Sequence, residues 1–354
     1  VSARIVVAMS GGVDSSVAAA LLVEAGHEVI GVTLRLVGDA SRCCSLDDAE
    51  DARRVAERLG IRFYVADYAD AFRREVMEPW ADGYLAGRTP IPCVTCNQRF
   101  KFRHLLARAE ALGAGVVATG HYARVERDAS GVLSLHRGAD PEKDQSYFLF
   151  DLRPEQLARV VFPVGALRKS EVRDHARRLG LATADKAESQ ELCFVPDGNH
   201  AAVIEKLRPG AAPGPGAIVD ESGRVVGTHG GIHRYTVGQR RGLGVAAGER
   251  MFVRSIDSTR NRITVAPAAR LGARGARVRG VSWVSGAAPE RALRAAVRVR
   301  HRHAGAAAEI VPQPGAAAEV RFDADVAAVT PGQAAVFYAD DRVLGGGWIE
   351  EALA

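Results

Sequence analysis

Seven residues near the start of this 354-residue chain, Ser10-Gly11-Gly12-Val13-Asp14-Ser15-Ser16, constrain its fold more than any others. The apolar run Ile5–Met9 precedes them, and the Ala- and Leu-rich stretch Ser15–Ala25, stopped by Gly26, follows. Two glycines allow a tight turn and let a ligand approach the backbone. The pattern is strand, turn, helix, and a helix start offers unsatisfied N–H groups and a positive dipole end. Ser10, Ser15 and Ser16 add hydroxyl donors. An ordinary strand–turn–helix connection also favours Gly, Ser and Asp. What separates this one is its place after the first strand, where open α/β sheets bind ligands. A phosphate or pyrophosphate suits it, although it lacks the Lys of the G-x-x-x-x-G-K-[ST] loop and is not G-x-G-x-x-G.

Strand-like and helix-like segments alternate from there. Ile5–Met9, Glu28–Leu34, Arg62–Ala66 and Val116–Thr119 read as strands. Between them lie a helix opened by Ser45 and Asp48 and ended by Gly60, a helical stretch Tyr68–Ala86 interrupted near Pro79, and an amphipathic helix Gln98–Leu112. The expected fold class is α/β, with a parallel sheet covered by helices on both faces. Near residue 200 the pattern changes. Leu207–Gly216 carries Pro209, Pro213 and Pro215 and reads as a linker. Short period-2 segments follow, among them Met251–Ile256, Ile263–Ala266, Arg294–Arg300 and Ala334–Tyr338. The expected domains are residues 1–204 (parallel-sheet, phosphate-binding), 205–270 (small central β) and 271–354 (C-terminal β-barrel).

Hydrophobic residues make up 47% and charged residues 25%, which excludes global disorder, collagen and coiled coil. No apolar run approaches the roughly 18 residues that cross a bilayer, and the first residues lack the regions of a signal peptide. A cytoplasmic address and no membrane partner are therefore expected. The net charge of +5 fits a polyanionic partner. Arg294, Arg298, Arg300 and Arg302 are spaced to share one strand face, with Arg234, Arg240 and Arg241 nearby in sequence. Phosphate contact with an RNA backbone is the expectation for that face.

Five cysteines in a long chain without a secretory signal argue against a disulfide scaffold. Cys93-Val94-Thr95-Cys96 reads as a loop running into the next helix, placing Cys96 near a helix N-terminus. Arg99, Lys101 and Arg103 add positive charge, and both effects favour thiolate. A closed zinc site needs four ligands and one C-x-x-C supplies two, unless His104 or His121 contributes. Cys43 and Cys44 are adjacent and read as structural, and Cys193 stands about a hundred residues beyond Cys96.

The Ser10–Ser16 segment resembles the PP-loop of the ATP pyrophosphatases. Further segments occur in the order seen in the bacterial tRNA-specific 2-thiouridylase family: Gly87–Asn97, Thr119-Gly120-His121-Tyr122, Lys143–Phe148, Pro163-Val164-Gly165, Ser189–Phe194, Thr236–Arg240 and Thr330-Pro331-Gly332-Gln333. The resemblance spans essentially the whole chain. It implies that ATP, with Mg2+, adenylates the C2 oxygen of the wobble uridine of a tRNA. A persulfide on Cys193, loaded by a sulfur-relay protein or a cysteine desulfurase, supplies sulfur. Cys96 resolves it, forming a disulfide with Cys193 or freeing sulfide near C2. By the same resemblance Ala8, Met9, Ser10, Gly11, Gly12, Val13, Asp14, Ser15, Leu34 and Gly120 hold ATP. Ile91, Pro92, Cys93, His121, Lys143, Asp144, Gln145, Arg300, His301 and Gln333 meet tRNA. This chain has Ile91-Pro92-Cys93 where the family often has Asn-Pro-Asp, so a carboxylate is replaced by a third thiol. Cys93, Cys96 and Cys193 could then hold a 4Fe–4S cluster, an alternative route to the same product. Two other classes are a PP-loop ligase acting on a small metabolite and a non-catalytic RNA-binding module.

Overall fold

A computed structural model describes residues 2–37, 46–187, 192–195, 197–245 and 248–354. Cys43, Cys44 and Ser45, and Ser189–Glu191 of the Cys193 segment, lie outside the described residues. None of the described helices is long and apolar enough to cross a membrane.

The chain opens with β1 (Arg4–Ala8), α1 (Val13–Glu24), β2 (Glu28–Arg35), α2 (Leu46–Leu59), β3 (Arg62–Asp67) and β4 (Val116–Thr119). It leaves as a hairpin, β5 (Ala123–Arg127) and β6 (Leu133–Arg137), and returns as the short β7 (Val160–Val161). The first sheet is parallel, in the order β3-β2-β1-β4-β7. Chain order reverses between β1 and β4, so the loops leaving those two strands flank the crevice where such sheets bind ligands. Alternate residues of β1 face opposite layers. Val6 joins a core with Ile30, Val32, Phe72, Trp80 and Phe100, while Ile5 and Val7 join one with Val17, Ala18 and Val55.

Two helical runs carry π-helical turns. Ala69–Leu85 contains one at Arg73–Met77, just before Pro79, whose ring breaks the regular ladder. The run Pro92–Ala111 contains another at Cys96–Lys101. The helix expected from Gln98 therefore starts at Pro92, and Cys93 and Cys96 are helical residues rather than loop residues.

Beyond residue 215 the regular elements of the described chain are strands and two short 3-10 turns. β8 (Gly216–Val219), β9 (Val225–His229), β10 (Met251–Asp257) and β11 (Arg262–Pro267) form a four-stranded sheet around Ile218, Val253, Ile263 and Val265. β12 (Gly272–Trp283), β13 (Leu293–Arg298), β14 (Ala306–Gln313), β15 (Ala317–Ala327), β16 (Ala334–Ala339) and β17 (Arg342–Leu353) close into a barrel through a β12–β17 pairing. The hairpin β5–β6 adds to this sheet, with β6 on β17. A segment from the first 204 residues is thus built into the C-terminal sheet.

The barrel overturns the expectation for the arginines. β13 ends at Arg298, and Arg300 and Arg302 follow outside it, so the four do not share a strand face. Arg298 is 9% exposed. Its Nη1 donates to Asp144 Oδ2 at 2.8 Å, and its guanidinium lies 5.6 Å from the Tyr147 ring centre and 5.7 Å from that of Tyr338. Arg294 pairs with Asp323 and Arg300 with the Ala327 carbonyl.

Arg298→Met, which strands the buried Asp144 charge, is expected to cost about 3–5 kcal/mol, read as a lowered unfolding midpoint in urea. Replacing Asp144 by Leu as well is expected to recover part of the loss; a fully additive double variant would contradict the pairing. A second expectation concerns pH. Burial holds His104, His121, His200, His229, His301 and His303 below their usual pKa, His121 at about 3. The unfolded chain binds protons near pH 6.5 that the folded one refuses, so stability is complete above that pH and falls below it. The thermal midpoint should drop between pH 7 and 5, and less steeply in His121→Phe; an identical slope would count against a neutral buried His121.

Candidate active site

Gly12 caps the start of α1 without a side-chain hydrogen bond to the helix end. The hydroxyls behave differently from expectation. Ser15 Oγ donates to the Gly12 carbonyl at 3.0 Å and accepts the Ser10 N–H at 3.1 Å, and Ser16 Oγ donates to the same carbonyl at 2.9 Å. A hydroxyl has one proton, so Ser15 and Ser16 shape the loop from beneath, and Ser10 is the exposed one. Met9 is locked into the sheet, its N–H on Val32 and its carbonyl on Thr33 Oγ1. Ala8 ends β1, and Val13 and Leu34 are buried, Leu34 in the core that faces Cys96.

Two glycines are required by close approach. At Gly11, with φ +71°, a Cβ would stand 2.2 Å from the Asp48 carbonyl oxygen. At Gly120 it would stand 2.6 Å from the Ser15 nitrogen. Gly120 thereby lets the loop after β4 press on the first turn of α1.

Asp14 is the hub of the loop. Its Oδ1 accepts the Tyr122 hydroxyl at 2.7 Å, and Lys169 Nζ lies 2.7 and 2.9 Å from its two oxygens. Lys169 comes from the first turn of the helix Lys169–Arg178. On the α2 side, Lys186 Nζ meets Asp48 at 2.7 Å and Asp51 at 2.5 Å. Both lysines escaped the sequence reading. A signal existed for Lys169: a cation in the first turn opposes the helix dipole and needs an anion opposite.

The thiols stand on the neighbouring layer. Cys93 lies in the first turn of the run from Pro92, and Cys96 begins its π-helical stretch. Val94 points into the core shared with the barrel, whereas Cys96, 7% exposed, points into the core under the sheet. Cys193 packs on that same core, next to Phe194, whose ring lies 5.0 Å from Trp80 and 6.0 Å from Phe72. Cys96 and Cys193, far apart in sequence, thus belong to one apolar cluster. Among the described residues no three His, Cys, Asp or Glu side chains gather as a metal-ligand group. Cys93, Cys96 and Cys193 do not form such a group among the described residues, nor do the cysteines with His104 or His121.

The residues expected to meet RNA divide into two sets. Ile91 and Pro92 line a cleft of about 450 Å³ between the helical run and the barrel, with Arg88, Arg99, Arg279 and Trp348. Arg300 is exposed and Lys143 half-buried. Asp144 is buried, while Cys93, His121, Gln145, His301 and Gln333 are half-buried. Asp144, 4% exposed, also accepts the Gly138 and Ser146 N–H groups, and its carbonyl is 3.1 Å from His301 Nε2. Gln145 exchanges two hydrogen bonds with the Tyr122 backbone, at 3.1 and 2.9 Å. His121 sits between Phe102 and Phe162, its Nδ1 2.7 Å from Thr119 Oγ1. The His301 ring lies 4.5 Å from that of Phe148. Gln333 donates to the Thr89 carbonyl at 2.7 Å.

Comparison with known proteins matches this arrangement along the whole chain. A family model described as the tRNA methyl transferase HUP domain matches residues 3–197, a PRC-barrel domain 204–267, and an aminomethyltransferase beta-barrel domain 273–349. A tRNA-specific 2-thiouridylase MnmA of Geobacter metallireducens is 52% identical over 361 residues, covering 99% of this chain and 97% of its own. That of Rhodospirillum centenum is 50% identical over 365 residues, covering 99% and 92%. A solved 4-thiouridine synthetase in complex with RNA and ATP overlaps 58% of this chain and 49% of its own, at 21% identity and a TM-score of 0.40, too loose a likeness to argue from. With half its residues shared over nearly its full length, the chain belongs to the tRNA-specific 2-thiouridylase family.

Proposed function

We propose that this chain is a tRNA sulfurtransferase that makes 2-thiouridine at the wobble position, with ATP cleaved to AMP and pyrophosphate. One observation carries the reading: Cys96 lies in, and Cys193 packs against, one apolar cluster on the sheet whose first loop opens onto an uncapped helix start. ATP lies with its phosphates at the start of α1, and Mg2+ travels on the triphosphate, as that ion usually does. Lys169, poised at Asp14, supplies the cation that the loop itself lacks. The anticodon loop enters between the helical run and the barrel, along the cleft of Ile91, Pro92 and Arg279, with Lys143 and Arg300 on phosphates. The target base leaves its stack, as bases that undergo chemistry do.

A ureide oxygen is a poor leaving group, and adenylation converts it into a good one. The terminal sulfur of a Cys193 persulfide, loaded by a sulfur-relay protein or cysteine desulfurase, attacks C2. AMP departs with the C2–O bonding pair. Cys96 thiolate then attacks Cys193 Sγ, and the S–S pair returns to the sulfur on C2 as thiocarbonyl. The enzyme is left with a Cys96–Cys193 disulfide, which a dithiol reductant must open before the next turnover.

Cys96→Ser and Cys193→Ser should each lower 2-thiouridine formation at least a thousand-fold, measured by nucleoside analysis of the tRNA, while pyrophosphate release on tRNA addition persists. Cys93→Ser should stay within a few-fold of the parent; equal loss at all three would refute the two-thiol route. Lys169→Met removes a charge-assisted contact of about 1.5–3 kcal/mol and should raise the ATP KM roughly 10- to 100-fold. An unchanged ATP KM would remove Lys169 from the phosphate site.

A further inference from the structure

The thiols are preceded by a short loop, residues 87–91, that joins the helix Glu78–Leu85 to the run beginning at Pro92. Both β units grip this loop. Gly87 rests on Ile256 of β10, close enough that a Cβ would stand 3.1 Å from the Ile256 carbonyl oxygen. Thr89, 6% exposed, has both of its backbone groups taken by the barrel. Its N–H donates to the Pro331 carbonyl at 3.0 Å, and its carbonyl accepts Gln333 Nε2 at 2.7 Å. Gly332 completes the contact, since a Cβ there would stand 3.0 Å from the Thr89 nitrogen. The gripping turn is itself fixed to β17: the Gly332 N–H reaches the Ile349 carbonyl at 2.9 Å, and the Ile349 N–H reaches the Gln333 carbonyl at 2.8 Å.

A two-point clamp of this kind transmits position. Loops take their place from the scaffold that satisfies their backbone groups. Here the scaffold is the barrel, whose Gln333 is 244 residues further along the chain, and the passenger is the start of the helix that carries Cys93 and Cys96. Misplacing a reacting group by about 1 Å can cost about a hundred-fold in rate. We propose that Gln333 is a positioning residue: it holds the Thr89 loop so that the barrel sets where Cys96 stands. This rests on the reading above that Cys96 is a reacting thiol. It also gives Gln333 a task in the enzyme alone, before any RNA is bound.

The test compares Gln333→Ala and Gln333→Glu with the parent, without tRNA and then with it. Glutamate keeps the size of the side chain and removes the N–H donor, so it should resemble Ala. Hydrogen–deuterium exchange of the free enzyme should rise at least ten-fold over residues 87–95 in both variants and stay unchanged over β16 and β17. In turnover, kcat for thiolation should fall about ten-fold, with the tRNA KM moving less than two-fold. Unchanged exchange at 87–95 with a raised tRNA KM would overturn the proposal in favour of a plain RNA contact. A rise spread over the whole barrel, or a Glu variant matching the parent, would overturn it too. Cys96→Ser run alongside separates the two readings: surviving thiolation there defeats the sulfur chemistry alone, and the exchange result decides the clamp alone.

Discussion

Asp144 is a carboxylate almost sealed from water, and Arg298 of the barrel is the cation that lets it stay there. A buried charge without its partner is strongly unfavourable, so the barrel and the segment 138–146 are held in one register. The consequences run further. Gln145, next in the chain, is bonded twice to the Tyr122 backbone, and the Tyr122 hydroxyl ends on Asp14 of the phosphate loop. Three side-chain contacts thus lead from the barrel to the first turn of α1. The hairpin β5–β6 reinforces the connection by joining the barrel's sheet. The barrel and the parallel-sheet unit are in this sense tied together.

That rigidity suits the chemistry. The proposed adenylated base would be open to hydrolysis, and a site that formed it would have to exclude water. Cys96 is buried in the core that holds Phe72, Trp80, Phe100 and Phe194, and Cys193, half-buried, packs against its edge. The helical run from Pro92 serves both cores at once: Val94 faces the barrel side and Cys96 the sheet side. Any displacement of the barrel relative to the sheet would therefore reach the thiol through its own helix.

Much of the fold was legible because local rules and tertiary packing agree. The strands from Ile5 to Ala66 and the short strands beyond residue 215 follow apolar periodicity and turn residues, and each lands within a few residues of its expected place. The start of the thiol helix was not legible. Pro92 is a good first helical residue, yet Pro90 two residues earlier and the Gly-Arg-Thr stretch before it read as loop, and nothing local announces a π-helical turn at Cys96. The arginines failed for a different reason. Even spacing suggests a shared strand face, but it says neither that β13 stops at Arg298 nor that a carboxylate 154 residues away, Asp144, pairs with that residue.

The site shows the same division. Gly11 and Gly120 were singled out as places where a ligand meets backbone, and both are indeed points of close approach, but the nearest partners are Asp48 and Ser15 of the protein itself. A glycine in sequence announces that something comes near; it does not say what. Charge placement is more informative where it breaks a rule. Lys169 opens a helix, where a cation opposes the dipole, and Asp14 with Asp140 at that helix start supplies the compensation. A residue that costs its own helix stability needs a reason elsewhere, and here the reason stands at the mouth of the phosphate loop.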